Sequence, residues 1–175
     1  MLIPWTKIRS WDCMACGDCC KYFTINIKYE DWVKIINKHG TWAISPGVRE
    51  FYIKRRPDGR CVFQHNLMGK WICELQDVKP GICKRWPFRI YRKSRRGKGE
   101  VAIFQYRNEN FYVYLESFCK GIQYGYPSTK FAKQVIPEFI EIYLGNLKNQ
   151  VNSTSKIFDY LLHPQIPQVK PRRIL

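Results

Sequence analysis

The chain has 175 residues, enough for one domain with a modest core, and its 45% hydrophobic and 25% charged content excludes wholesale disorder. Lys plus Arg number 30 against 14 Asp plus Glu, a formal net charge of +16 that points to a polyanionic partner and away from an acidic-ligand role. The other outlier is eight Cys, which call for either disulfides or metal.

The start, Met1 to Lys7, has no basic region followed by a long apolar stretch. No apolar run approaches the ~18 residues of a membrane helix. The expectation is a cytoplasmic protein without a membrane partner, whose thiols stay reduced and whose clustered Cys bind metal.

In chain order, the first feature is a cysteine knot, Cys13-Met14-Ala15-Cys16-Gly17-Asp18-Cys19-Cys20. Alternation of β-formers and polar residues predicts a short strand over 22–29. Residues 30–39 read as a helix with Val33, Ile36 and Trp32 on one face and Gly40 as its stop. Residues 61–73 read as a hairpin turning between Asn66 and Gly69, and Pro80-Gly81 as a turn. Strands are predicted over 88–91, 101–106 and 111–115, the first two joined as a hairpin through 92–99. After Ser128 the apolar positions Ala132, Val135, Ile136, Phe139, Ile140, Tyr143 and Leu147 recur at helical spacing, with Pro137 kinking the segment or opening a second helix. Residues 154–162 suggest a last short helix.

These elements predict an α+β fold: a small, irregular, metal-stapled domain with short antiparallel strands and a C-terminal helical brace. The cysteine-cluster domain is assigned to 1–128, helices packed on it to 129–162, and an extended, basic, Pro-rich tail to 163–175.

Cys13, Cys16 and Cys19 stand at x2 spacing, which lets sulfurs converge on one centre because the backbone between them folds into a tight turn. Gly17 supplies the freedom that turn needs. The pattern matches the first ligands of bacterial-type [4Fe–4S] sites. Cys20 departs from it by being adjacent to Cys19, so these two serve different centres or one is a spare thiol. Cys61, Cys73, Cys83 and Cys119 bring the count to eight, enough for two four-sulfur sites. Inert burial is a competing reading for Cys61 or Cys119 alone, far less so for the first four.

The stretch resembles the CxxCxxCC cysteine-cluster family, described as a zinc- or iron-chelating domain. Cys13 to Cys20 match its signature in full, including Gly after the second Cys. Residues 73–88 resemble a family stretch of the form C-x-I-Y-x-x-R-P-x-x-C-R-x-F-P, with Gln76, Lys79 and Trp86 in place of Tyr, Arg and Phe. The likeness covers roughly residues 11–120 and implies metal binding. Some flagellin-lysine methylases carry a similar cluster, so enzyme chemistry occurs in the wider family.

The cofactor expected is an iron–sulfur cluster, [4Fe–4S], or zinc. Crowding of three sulfurs at one centre tilts the reading to iron–sulfur, since zinc more often draws two sulfurs from each of two turns. Lys21, Lys84 and Arg85 adjoin ligands and are candidates to offset site charge. His39, His65 and His163 read as surface residues, His65 being the best substitute ligand because it follows Cys61 by four positions. No convincing nucleophile–base pair, phosphate-binding Gly-rich loop or radical S-adenosylmethionine spacing is present, so no catalytic residue is assigned.

Residues 84–98 hold eight basic side chains and no acid. Arg85, Arg89, Arg92, Lys93, Arg95, Arg96 and Lys98 are candidate nucleic-acid contacts, interleaved with Trp86, Phe88 and Tyr91 and set near a hairpin tip. A solvated, solubilising surface explains the same charges equally well. Lys54, Arg55, Arg56 and Arg60 form a second patch. The leading expectation is a non-catalytic metal-binding module docking on RNA or a ribonucleoprotein such as the ribosome. The alternative is an iron–sulfur redox or protein/RNA-modification enzyme with an open metal position.

Overall fold

The structure is a computed structural model and describes residues 1–47, 50–94, 99–148 and 150. The elements are β1 (Leu2–Pro4), β2 (Ile8–Trp11), α1 (Asp18–Tyr22), β3 (Asn26–Ile27), α2 (Tyr29–His39), β4 (Ile44–Pro46), β5 (Phe51–Ile53), β6 (Gln64–Leu67) and β7 (Lys70–Cys73). There follow α3 (Gly81–Lys84), β8 (Phe88–Tyr91), β9 (Ile103–Tyr106), β10 (Glu109–Glu116), β11 (Ile122–Tyr124) and α4 (Ile136–Leu144). The expected α+β class with short antiparallel strands and a C-terminal helix is observed.

β10 organises the main sheet because its alternation is the longest in the chain. Phe111, Val113 and Leu115 all point to one face and are buried. β8 pairs along one edge of β10 and β9 and β1 share the other, all antiparallel. Facing Phe111, Val113 and Leu115 lie Phe131, Val135, Ile136, Phe139 and Ile140, from a turn of wider, π-type helix over Phe131–Val135 and from α4. Pro137 sits in the first turn of α4, where its missing N–H costs nothing, so it opens the helix. Phe88 stacks on Phe139 at 3.9 Å between centroids, and Trp11 meets both rings edge-on. The C-terminal helix thus braces the sheet.

A second apolar cluster is built from α2, the β3-β5-β4 sheet and the residues flanking the β6–β7 hairpin, with Ile27, Ile35, Ile44, Ile53, Phe63 and Leu75 at its centre. α2 ends at Gly40, whose N–H closes on the Ile36 carbonyl at 2.8 Å, as its sequence predicts. Its fully buried residue is Ile35, whereas Trp32, Val33 and Ile36 are only half-buried.

Several expectations change. The strand predicted over 22–29 shrinks to Asn26–Ile27, because Tyr22 ends α1 and Tyr29 begins α2. The Pro80-Gly81 turn is the start of α3, Pro80 preceding its first residue. β8 and β9 are not hairpin partners: both pair with β10, on opposite edges, since Tyr112 faces Tyr91 on one side and Ile103 on the other. The finger expected over 92–99 is therefore not a hairpin tip. Val48, Arg49, Arg95, Arg96, Gly97, Lys98, Asn149 and residues 151–175 lie outside the described residues, as do the helix expected at 154–162 and the basic tail. Among the described residues no helix is long and apolar enough to cross a membrane.

Candidate metal centre

The cysteine knot folds as a loop and one short helix. Gly17 takes a left-handed φ of +78° just before α1, and the turn it makes is closed by Cys20 N–H donating to the Gly17 carbonyl at 3.1 Å. The same carbonyl accepts from the side-chain amide of Gln64 at 3.2 Å, a buried residue that anchors the knot to the hairpin. Trp71 N–H donates to the Ala15 carbonyl at 2.8 Å. The Arg60 guanidinium lies 3.7 Å from the Trp71 ring centroid and also bonds Gln64. Arg55 caps the carbonyl of Lys21 at 2.9 Å, while Arg56 and Arg60 pair with Asp58. The patch expected over 54–60 is thus in part scaffolding for the cysteine loop.

This scaffolding brings Cys13, Cys16, Cys19 and Cys20 together with Cys61, Cys73, Cys83 and Cys119: all eight line one cavity of about 150 Å³. None is in a disulfide. Adjacent side chains on a helix diverge, and Cys19 and Cys20 were expected apart, yet their sulfurs are 3.8 Å from each other. Cys61 is buried and its N–H donates to the Cys20 carbonyl at 3.1 Å. Cys73 ends β7 opposite Gln64. On the far side, Cys119 accepts from the Trp11 indole N–H at 3.1 Å. Among the described residues no three His, Cys, Asp or Glu side chains are gathered tightly enough to hold a metal ion as they stand. The thiols ring the wall without closing into a cage.

Electrostatics identify a group that spacing missed. Lys79 lines the cavity, whereas Lys21, Lys84 and Arg85, the expected counter-charges, do not. Burial pulls the Lys79 ammonium down, but Cys73, Cys83, Cys19 and Cys13 outweigh it and hold the group above its ordinary value. Burial pushes the Cys61 thiol up to about 11. It does the same at Cys119, to about 11, against the lowering effect of the Trp11 N–H. Cys13, Cys73 and Cys83 rise for the same reason, with Lys79 opposing. Cys13 is exposed as a residue while its thiol is desolvated, so its backbone meets solvent and its sulfur faces inward. Cys19 rises first through its contact with Cys20, then through burial. Without metal, these thiols stay protonated at neutral pH, and loading a metal releases protons. Eight soft sulfur donors with a lysine among them fit zinc or an iron–sulfur cluster.

His65 turns away to Glu74 at 2.9 Å and is not on the cavity wall, so it offers no substitute ligand there. The basic residues nominated for nucleic acid are partly engaged. Arg89 pairs with Glu116 at 2.9 Å, Arg92 with Glu109, and Arg85 bonds the Gly81 carbonyl and lies over the Tyr143 ring. The acids come from β10, a partner that the linear neighbourhood of 84–98 does not reveal. Lys93 is exposed; Arg95, Arg96 and Lys98 lie outside the described residues.

A cavity walled by eight reduced cysteines defines a thiolate metal-binding protein. The family comparison agrees: the model of CxxCxxCC, described as a putative zinc- or iron-chelating domain, matches residues 12–120, and the chain belongs to that family. Searches of curated proteins and of solved structures each return no match.

Proposed function

We propose that the cavity thiols are the metal ligands, that the metal is held as iron–sulfur, and that the protein is a non-catalytic module docking on RNA or a ribonucleoprotein through its basic surface. The observation that carries the metal reading is the presence of all eight cysteines on one cavity wall. The C-x2-C-x2-C spacing supports iron–sulfur over zinc. Bound metal would fasten loops that apolar packing leaves short of core. The chain's own part is to hold the ring in register through Gln64 and Trp71 and to offset thiolate charge with Lys79.

Anaerobic purification with metal analysis and a visible spectrum tests this. The expected product is brown, with iron and sulfide bound. A colourless, air-stable protein with stoichiometric zinc would replace iron–sulfur with zinc, and a protein without metal would overturn the ligand reading.

The RNA reading is supported by the net charge of +16 and the acid-free run at 84–98. Because Arg92 has Glu109, the informative variant reverses Lys93, Arg95 and Arg96 to Glu. RNA affinity should fall steeply with salt in the parent and be lost in this variant, with metal content unchanged. Salt-insensitive binding, or full affinity in the variant, would leave the charges as a solvated surface.

A further inference from the structure

We propose that the eight thiols are divided between two metal centres that meet at the Cys19–Cys20 step. The outer centre is held by Cys13, Cys16, Cys19 and Cys119, the inner one by Cys20, Cys61, Cys73 and Cys83. The division rests on reading the cysteines as ligands, and the backbone argues it.

Cys119 is tied to the start of the knot. β11 pairs with β2, placing Ile122 opposite Trp11, and Asp12 N–H donates to the Gly121 carbonyl at 3.2 Å. The approach is so close that a Cβ on Gly121 would stand 2.0 Å from the Asp12 carbonyl oxygen. With the Trp11 indole on its sulfur, Cys119 is fixed beside the loop that carries Cys13 and Cys16, and it packs on the sheet-and-brace core.

The other group belongs to the second core. Cys20, Cys61 and Cys73 all pack against it. Cys61 N–H bonds Cys20, Gln64 N–H bonds the Cys61 carbonyl at 3.0 Å, and Gln64 pairs with Cys73 across the hairpin. Cys83 arrives on α3, whose first N–H, from Gly81, donates to Asp31 of α2 at 3.1 Å. The charges felt by the thiols divide the same way. Cys13 and Cys16 act on Cys119, whereas Cys73, Cys19 and Cys61 act on Cys83.

Cys19 and Cys20 are the seam. Two thiolates of one cubane each bind their own iron and cannot touch, so sulfurs 3.8 Å apart on successive residues belong to neighbouring centres. The centres also differ in shelter. The outer one includes the solvent-reaching Cys13 and is flanked by exposed Met14 and Phe118, while the inner one includes buried Cys61.

The test uses the full chain, purified anaerobically, and counts bound metal per chain in the parent and in Cys119→Ala, Cys16→Ala and Cys83→Ala. Each variant should keep half the parent's metal. Cys119→Ala and Cys16→Ala should retain the slowly released half, and Cys83→Ala should not. In the unmodified protein a competing chelator should remove metal in two phases of equal amplitude. The fast phase should be absent from the two outer variants. A single release phase in the parent, or outer and inner variants that lose the same metal, overturns the division but leaves the ligand reading standing. A parent that holds no metal overturns both.

Discussion

Metal removal is expected to lower the melting temperature of this chain by tens of degrees. A structural metal of this type contributes about 10–16 kcal/mol of apparent free energy to a small fold. Whole domains are stable by only about 5–15 kcal/mol, so the metal term is as large as the total. For a chain of this size each kcal/mol shifts the midpoint by about 2–4 °C, giving about 20–40 °C or more. Trp11, Trp71 and Trp86 line the cavity and report on it directly. Their fluorescence and the near-ultraviolet dichroism should change as chelator is added, before the far-ultraviolet helix signal is lost. A metal-free chain with an unaltered melting curve would show that the thiols do not hold the fold.

The second large effect is expected at Gly17, and Gly69 provides its control. Both glycines have nearly the same left-handed backbone, φ +78° and +79°. A Cβ at Gly69 meets nothing within 4 Å, so Gly69→Ala should cost only the left-handed penalty, about 1–2 kcal/mol. A Cβ at Gly17 would come within 2.7 Å of Arg60, Gln64 and Trp71 at once. Overpacking adds about 1–3 kcal/mol, and here the displaced groups hold the cysteine loop. Gly17→Ala should therefore be the less stable variant by denaturant titration and should also bind metal more weakly, whereas Gly69→Ala should retain parental metal content. Equal losses at the two positions would mean that the packing around Gly17 is not what holds the knot.

Local patterns made much of this fold legible. Strand 88–91, the turn of the 61–73 hairpin and the Gly40 helix stop follow from alternation, a turn dipeptide and a left-handed cap, all read within a few residues. What escaped depends on distant partners. β1 and β2 are short, one contains Pro4, and they become strands only because β10 and β11, over a hundred residues away, offer edges. The pairing of β8 and β9 with opposite edges of β10 also depends on a later strand. In the site, the signature singled out the cysteines by spacing. It carried no sign that Trp11 would meet Cys119, or that Lys79, six residues after Cys73, would stand among four thiols. Arg89 and Arg92 looked unpaired for the same reason: their acids are across the sheet, not along the chain.

The cavity wall is shared between two apolar clusters, with Trp11 and Cys119 from one and Cys20, Cys61 and Cys73 from the other. Each cluster has its own sheet, so each is a candidate unit of sub-global opening. The sulfur ring is where opening of one unit is communicated to the other. Loaded, the chain should exchange its amide hydrogens as one cooperative body. Unloaded, the smaller unit around Ile35 and Phe63 gains its own opening equilibrium while β10 and α4 keep their protection. Metal occupancy then sets the cooperativity of the molecule as well as its stability.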